Sequence, residues 1–309
     1  MSTRVAAIDC GTNSVRLLIA DLAGDTLTDV ERMMEIVRLG QDVDRTGRLA
    51  PEALARTFAA MRRYQELIER HGAGATRVVA TSATRDAANR QDFVDGVREI
   101  FGVAPEVVSG EEEAEFSFTG ATGDLARLSL DAPYLVLDPG GGSTEFVVGD
   151  RHVEGAISVD IGSVRLFERH LKHAGDPPPA AAVESVVADI EAALDLVSQS
   201  VPVQKANTLV GLAGSVTTVA SIALDLPFYD SLRIHHSRIS ASDVHEVTRK
   251  LLSMTHGDRL AIPSMHPGRA DVIGAGALIL DRVLRRFAFS QVIVSERDIL
   301  DGIAWSLAR

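Results

Sequence analysis

Two short stretches of this sequence carry residues that could hold a phosphate. In Ile8-Asp9-Cys10-Gly11-Thr12-Asn13-Ser14 and in Leu137-Asp138-Pro139-Gly140-Gly141-Gly142-Ser143, an apolar run ends in an aspartate and then turns through small residues. Such a turn points successive backbone N–H groups into one concavity, and glycine permits both a positive φ and close approach of an anion. The aspartate cannot favour an anion by itself; it suits a hydrated Mg²⁺, which takes carboxylate and phosphate oxygens. The same residue types also build ordinary hairpins, so a single copy would say little. A third turn, Gly214-Ser215, stands where a strand gives way to a helix whose first N–H groups are unpaired and electropositive; simple capping is the competing reading. Three such turns on separate strands point to a cleft for an oligophosphate. Glu111, Glu112 and Glu113 follow Ser109-Gly110 at a helix start. Capping and complementarity to the helix dipole account for two of them, and the third needs a separate reason.

The elements that must position these residues alternate β-branched apolar runs with helical periodicity, the pattern of an α/β protein. Strands are expected over Val5–Asp9, Val15–Asp21, Val30–Leu39, Arg77–Thr81 and Glu106–Ser109. Pro51 opens a helix in which Leu54, Phe58, Met61 and Ile68 share one face, and a second helix is expected over Asp86–Phe101. The pattern restarts with strands Tyr134–Asp138, Glu145–Gly149 and Arg151–Val159. After the breaker Asp176-Pro177-Pro178-Pro179, helices are expected over Ala181–Ser200 and Ser240–Met254. Strand Thr208–Leu212 leads into helix Val216–Leu224, and strand Gln291–Ser295 separates closing helices Arg269–Phe287 and Arg297–Leu307. One constant offset pairs Asp9 with Asp138, Gly11 with Gly140 and Ser14 with Ser143, which a duplicated domain explains.

The chain has 309 residues, 46% hydrophobic and 24% charged, enough for two domains with sizeable cores. Neither a signal peptide nor a run of roughly 18 apolar residues is present, so the expected location is cytoplasmic, with no membrane partner. Cys10, the single cysteine, lacks companions for a disulfide or a zinc site and is expected to be a small buried residue. The net charge of −12 argues against nucleic acid as a partner. A local arginine cluster can still govern one cleft, because salt screens over roughly 8 Å.

The sequence resembles the exopolyphosphatase and guanosine pentaphosphate phosphohydrolase family, within the actin, sugar-kinase and heat-shock-chaperone ATPase superfamily. The likeness runs end to end. It rests on Ile8 to Arg16, Ala80-Thr81-Ser82-Ala83-Thr84-Arg85, Ser109-Gly110-Glu111-Glu112-Glu113-Ala114, Asp138 to Glu145, and Gly211-Leu212-Ala213-Gly214-Ser215. The resemblance implies two actin-like, ribonuclease H-like α/β domains with an interdomain cleft. A boundary is expected near Glu112, giving 1–112 with 294–309 and 113–293.

The resemblance implies that Glu113 is the general base that activates water. Asp138 and Glu145 would hold Mg²⁺, with Mn²⁺ as an alternative, and Asp9 would stand close to the metal or its water. The turns Asp9, Gly11, Thr12, Asn13, Ser14 and Gly140, Gly141, Gly142, Ser143, Thr144 would cradle phosphoryl groups, with Arg85, Gly214 and Ser215 contributing. Two positions depart from the family pattern: Pro139 removes an N–H, and Glu115 stands where arginine is common. Gly162 and Arg165 resemble the family's Gly-x-Val-Arg segment. The expected activity is removal of orthophosphate from inorganic polyphosphate, short chains in particular, with guanosine pentaphosphate as the alternative substrate. A small-molecule kinase and a non-enzymatic polyphosphate sensor are more distant readings. A homodimer is implied at family level alone, and a requirement for K⁺ is beyond the sequence.

Overall fold

The computed structural model of the chain describes residues 2–123, 125 and 128–308; the expected outer domain bounds at 1 and 309 lie outside the described residues. The strands are β1 (Thr3–Cys10), β2 (Ser14–Ala23), β3 (Thr26–Ile36), β4 (Ala75–Ala80), β5 (Glu106–Val107), β6 (Tyr134–Pro139), β7 (Thr144–Gly149), β8 (Val153–Val159), β9 (Thr208–Gly211), β10 (Arg238–Ser240) and β11 (Gln291–Val294). The longer helices are α1 (Pro51–His71), α2 (Arg90–Phe101), α3 (Gly110–Thr122), α4 (Ala180–Ser200), α5 (Ala213–Ala223), α6 (Ala241–Ser253), α7 (Ile273–Arg286) and α8 (Ile299–Ser306). The chain divides into two compact units, 1–123 with 297–309, and 124–296. Among the described residues no helix is long and apolar enough to cross a membrane.

In the first unit the sheet order is β3-β2-β1-β4-β5. β1 pairs antiparallel with β2 and parallel with β4, and β4 runs parallel to β5. Both faces of β1 and β2 are apolar, as a central strand requires. Ala6, Ile8, Cys10, Leu17 and Ile19 face one way, against Met61, Tyr64, Phe93 and Val97. Val5, Ala7, Leu18 and Ala20 face the other, against Ile299, Leu300, Ile303 and Ala304 of α8. Each fully buried aliphatic side chain contributes about 1.5–3 kcal/mol, so β1 is fixed from both sides. Cys10 is buried as expected, and burial pushes its thiol well above the usual range.

The second unit repeats the plan as β10-β11-β9-β6-β7-β8. β6 pairs antiparallel with β7 and parallel with β9, β9 runs parallel to β11, and β10 is an added antiparallel edge. Two ribonuclease H-like sheets are therefore present, as the internal repeat implies.

Several boundaries differ from the expected ones for identifiable reasons. The helix expected over Asp86–Phe101 is two, Ser82–Asp86 and α2, because the Asn89 side chain bonds both the N–H and the carbonyl of Leu49 and fixes a break. β3 ends at Ile36 rather than Leu39, since Val37 and Arg38 donate their N–H groups to the Asn13 carbonyl. The helix expected from Arg269 begins at Ile273, after a 3₁₀ turn at Pro267–Arg269. β10 is three residues long and was not expected. α3 lies in the first unit, beyond the boundary expected at Glu112. The reason is a close crossing of α3 and α8: a Cβ on Gly120 would strike the Asp298 carbonyl, and one on Gly302 would strike that of Phe116.

Candidate functional site

In the first unit the expected residues gather beyond the carboxyl ends of β1, β4 and β5, where open α/β sheets bind ligands. The Asp9–Ser14 turn closes with Gly11 N–H donating to the Ser14 carbonyl (3.0 Å). Thr12 Oγ1 lies 3.0 Å from Ser82 Oγ, which ties the turn to the Ala80–Arg85 segment. The Thr12 carbonyl accepts from Gly40 N–H (2.8 Å), and that of Asn13 accepts from Val37 and Arg38 N–H (3.0 and 2.9 Å).

The three glutamates of α3 separate by role. Ser109 caps the helix, and Glu112 completes a capping box by accepting from the Ser109 N–H. Glu111 is exposed, whereas Glu113 is buried and receives Arg85 Nη1 at 3.1 Å on Oε2. Arg85 also donates to the Val108 carbonyl (3.1 Å). The residue expected to touch a phosphate thus also holds the residue expected to act as base.

In the second unit, β6 delivers Asp138 and Pro139, and the turn Gly140–Ser143 follows. The carbonyls of its three glycines are engaged. Gly140 accepts from Ser163 N–H (3.0 Å), Gly141 from Val164 and Arg165 N–H (2.9 and 3.1 Å), and Gly142 from Arg165 Nε (2.7 Å). Among the described residues the N–H groups of Thr12, Asn13, Gly141, Gly142 and Ser143 have no protein acceptor. Thr12, Gly142 and Ser143 are buried, and buried N–H groups without acceptors are rare in folded proteins. Each turn thus carries N–H groups without protein acceptors, the kind of donor a phosphate cradle requires.

Two expectations about the turns are corrected. Among the described glycines at positive φ none belongs to either turn; glycine serves there for clearance, since a Cβ on Gly140 would come 3.1 Å from the Ser143 carbonyl. Pro139 costs the cradle no donor, because it ends β6 opposite Thr144 and the unpaired N–H groups begin at Gly141.

The residues facing the strand-end aspartates differ in charge. Asp9 faces Arg16 across β1 and β2, and Arg16 donates Nε (2.9 Å) and Nη2 (2.7 Å) to Oδ2 of Asp9. Arg16 also pairs with Asp298, the cap of α8. Oδ1 of Asp9 is buried without a partner, and burial raises its pKa against the pull of Arg16. Asp138 faces Glu145 instead. Both are buried, and Ser158 Oγ donates to Glu145 Oε1 (2.7 Å). Like charges directly opposite on neighbouring strands repel, and a cation between them would relieve this repulsion. Two carboxylates beside a phosphate cradle fit Mg²⁺, which is bound by one or two carboxylates, waters and substrate oxygens. Among the described residues no three His, Cys, Asp or Glu come together as a ready metal site; Asp9 is held in its pairing with Arg16.

At the third turn, Ala213 takes a φ of 61°, unusual for alanine, and swings the chain from β9 into α5 without a side-chain cap. The Arg269 guanidinium lies on Gly214, where a Cβ would strike it, and Nη1 donates to the Gly214 carbonyl (3.2 Å). Ser215 packs against Gly276. Sequence reasoning missed Gly40, Gly276 and the placement of Arg269; a glycine beside each turn was the one available signal.

The chain is similar to several known proteins. The model of the Ppx/GppA phosphatase family matches residues 18–309. A protein of Mycobacterium tuberculosis named Exopolyphosphatase 2 is 49% identical over 99% of both chains. A solved structure described as an exopolyphosphatase-like protein is 43% identical, covers 99% of this chain and 98% of its own, and superposes with a TM-score of 0.95. A crystal structure of the Aquifex aeolicus member of the Ppx/GppA family is 30% identical, covers 100% of this chain and 98% of its own, and has a TM-score of 0.83.

Proposed function

We propose, because this chain belongs to the Ppx/GppA phosphatase family, that it is an exopolyphosphatase releasing orthophosphate from the end of inorganic polyphosphate. The observation that carries the reading is the pair of turns with unpaired N–H groups, buried at Thr12, Gly142 and Ser143. Oriented donors of this kind recognise phosphoryl oxygens and stabilise charge that develops on them. Full-length likeness to a protein named Exopolyphosphatase 2 supports polyphosphate as the substrate.

Phosphoryl transfer to water needs positioning and charge neutralisation more than covalent participation. In this reading the Glu113 carboxylate accepts a proton from the attacking water as its oxygen bonds to the terminal phosphorus and the bridging P–O bond breaks. Arg85 holds Glu113 and is placed to donate to a phosphoryl oxygen. Asp138 and Glu145 would hold Mg²⁺, which supplies charge neutralisation at phosphoryl oxygens when bound. Asp9, neutralised by Arg16, keeps Oδ1 available to accept from a metal-bound water. The turns Gly11–Ser14 and Gly140–Thr144, with Gly214 and Ser215, hold the neighbouring phosphates.

The test is orthophosphate release, with Mg²⁺, from polyphosphates of defined length, guanosine pentaphosphate and ATP side by side. Release from polyphosphate in preference to the nucleotides is the expected outcome; preference for guanosine pentaphosphate would replace the substrate, and transfer to a sugar or acid would replace hydrolysis. Glu113→Gln should stay folded and lose roughly 10²–10⁴ in turnover, the usual contribution of a positioned base. Full activity in that variant would remove Glu113 from the mechanism.

A further inference from the structure

The segment that follows the third strand performs the same task in both units. In the first, residues 37–40 place three backbone N–H groups on the carbonyls of Thr12 and Asn13. In the second, residues 162–165 engage the carbonyls of Gly140, Gly141 and Gly142 through Ser163, Val164 and Arg165. Each segment contains a glycine pressed against its turn: a Cβ on Gly40 would strike the Thr12 side chain, and one on Gly162 would strike the Gly141 carbonyl. A peptide unit carries its N–H and C=O on opposite sides, so fixing the carbonyls rearward turns the N–H groups forward.

We propose that these segments are buttresses that build the phosphate cradles, and that Arg165 is a positioning residue which orients the second cradle through its Nε bond to the Gly142 carbonyl rather than by touching phosphate. The proposal rests on the phosphate-cradle reading above. The repeat supplies the comparison that carries it. Asn13 and Gly142 correspond in the two turns, yet the Asn13 carbonyl is held by two backbone N–H groups, whereas the Gly142 carbonyl is held at 2.7 Å by the Arg165 side chain. Arg165 therefore stands in for main-chain donors. Its guanidinium end is directed towards Asp160, 3.8 Å away, and its side chain is 13% exposed.

Glutamine places its amide nitrogen where arginine has Nε, so Arg165→Gln keeps the donor without the charge, Arg165→Met removes both, and Arg165→Lys keeps the charge but puts a methylene where Nε donates. Binding of a methylene-bridged triphosphate, which cannot be hydrolysed, is measured by calorimetry in Mg²⁺ buffer. Arg165→Met should weaken binding about tenfold and Arg165→Gln should stay within about threefold of the parent, as expected for one hydrogen bond. Arg165→Lys should resemble Arg165→Met. Lysine restoring binding better than glutamine would show that charge acts on the ligand directly and would overturn the proposal, as would parental affinity in Arg165→Met. If Arg165→Met does not fold, Gly162→Ala, which pushes on the Gly141 carbonyl, should weaken binding by a similar factor, and unchanged binding there counts against the buttress. A parent protein that binds the triphosphate but releases no orthophosphate from polyphosphate would remove the hydrolase reading and leave this binding series decisive for Arg165.

Discussion

Asp9 and Asp138 end equivalent strands in equivalent sheets, but the residue across from each has opposite charge: Arg16 faces Asp9, and Glu145 faces Asp138. The first unit neutralises its aspartate within the protein. The second places two carboxylates opposite one another, which in the proposed function would hold a cation. Both turns have carbonyls held from behind and N–H groups without protein acceptors, although the donors that hold them differ. In the proposed function, duplication kept two turns for holding phosphate, and a change at one cross-strand position would separate a holding half from a metal-dependent half.

Writing the first unit's charge into the second is the severest way to break this contrast. Glu145→Arg should supply its own cation at Asp138 and abolish metal-dependent turnover, a loss of roughly 10³-fold or more if the metal contributes several kcal/mol. Glu145→Gln, a smaller intrusion, should raise the Mg²⁺ concentration needed for half-maximal activity; an unchanged Mg²⁺ titration in both would detach the pair from the metal. Next in size is Arg16→Met, which leaves Asp9 and Asp298 buried without their partner and should cost about 3–5 kcal/mol in urea unfolding. A loss below about 1 kcal/mol, the level of a surface pair, would show that the first unit does not depend on internal neutralisation. The smallest effect is a pH dependence. Burial holds the Asp9 pKa above its usual 3.8, so the folded state binds this proton more tightly than the unfolded chain. Its contribution is full below the unfolded value and is lost as pH rises through the raised one. Asp9→Asn should flatten stability across that interval, by at most about 1.4 kcal/mol per pH unit, and a parental slope in the variant would assign the titration elsewhere.

The sheets were legible because β1, β2, β6 and β7 are apolar on consecutive residues, and because small residues punctuate the chain at each turn. Capping left one of the three glutamates unexplained, and the family resemblance pointed to Glu113; the capping role of Glu112 is a finding of the structure. What stayed hidden depends on contacts distant in sequence. Asn89 breaks a helix by bonding Leu49, and no local periodicity reports that. Arg16 is committed to Asp9 and Asp298, and the second of these lies far along the chain. Arg165 read as a surface arginine or a motif residue; its bond to Gly142 emerges only when β8 returns the chain to the turn. Short β10 has too few residues for alternation to show.

The crossing of Gly120 and Gly302 has a consequence for biosynthesis. A ribosome produces Ile299–Ser306 after all the other strands and helices of the first unit. Until then Glu113 rides on a helix without its seat, Arg16 lacks Asp298, and the face of Val5, Ala7, Leu18 and Ala20 has no α8 to cover it. The nascent chain therefore exposes an apolar sheet face to other chains until α8 emerges, and the helix that bears Glu113 gains its packing partner only then.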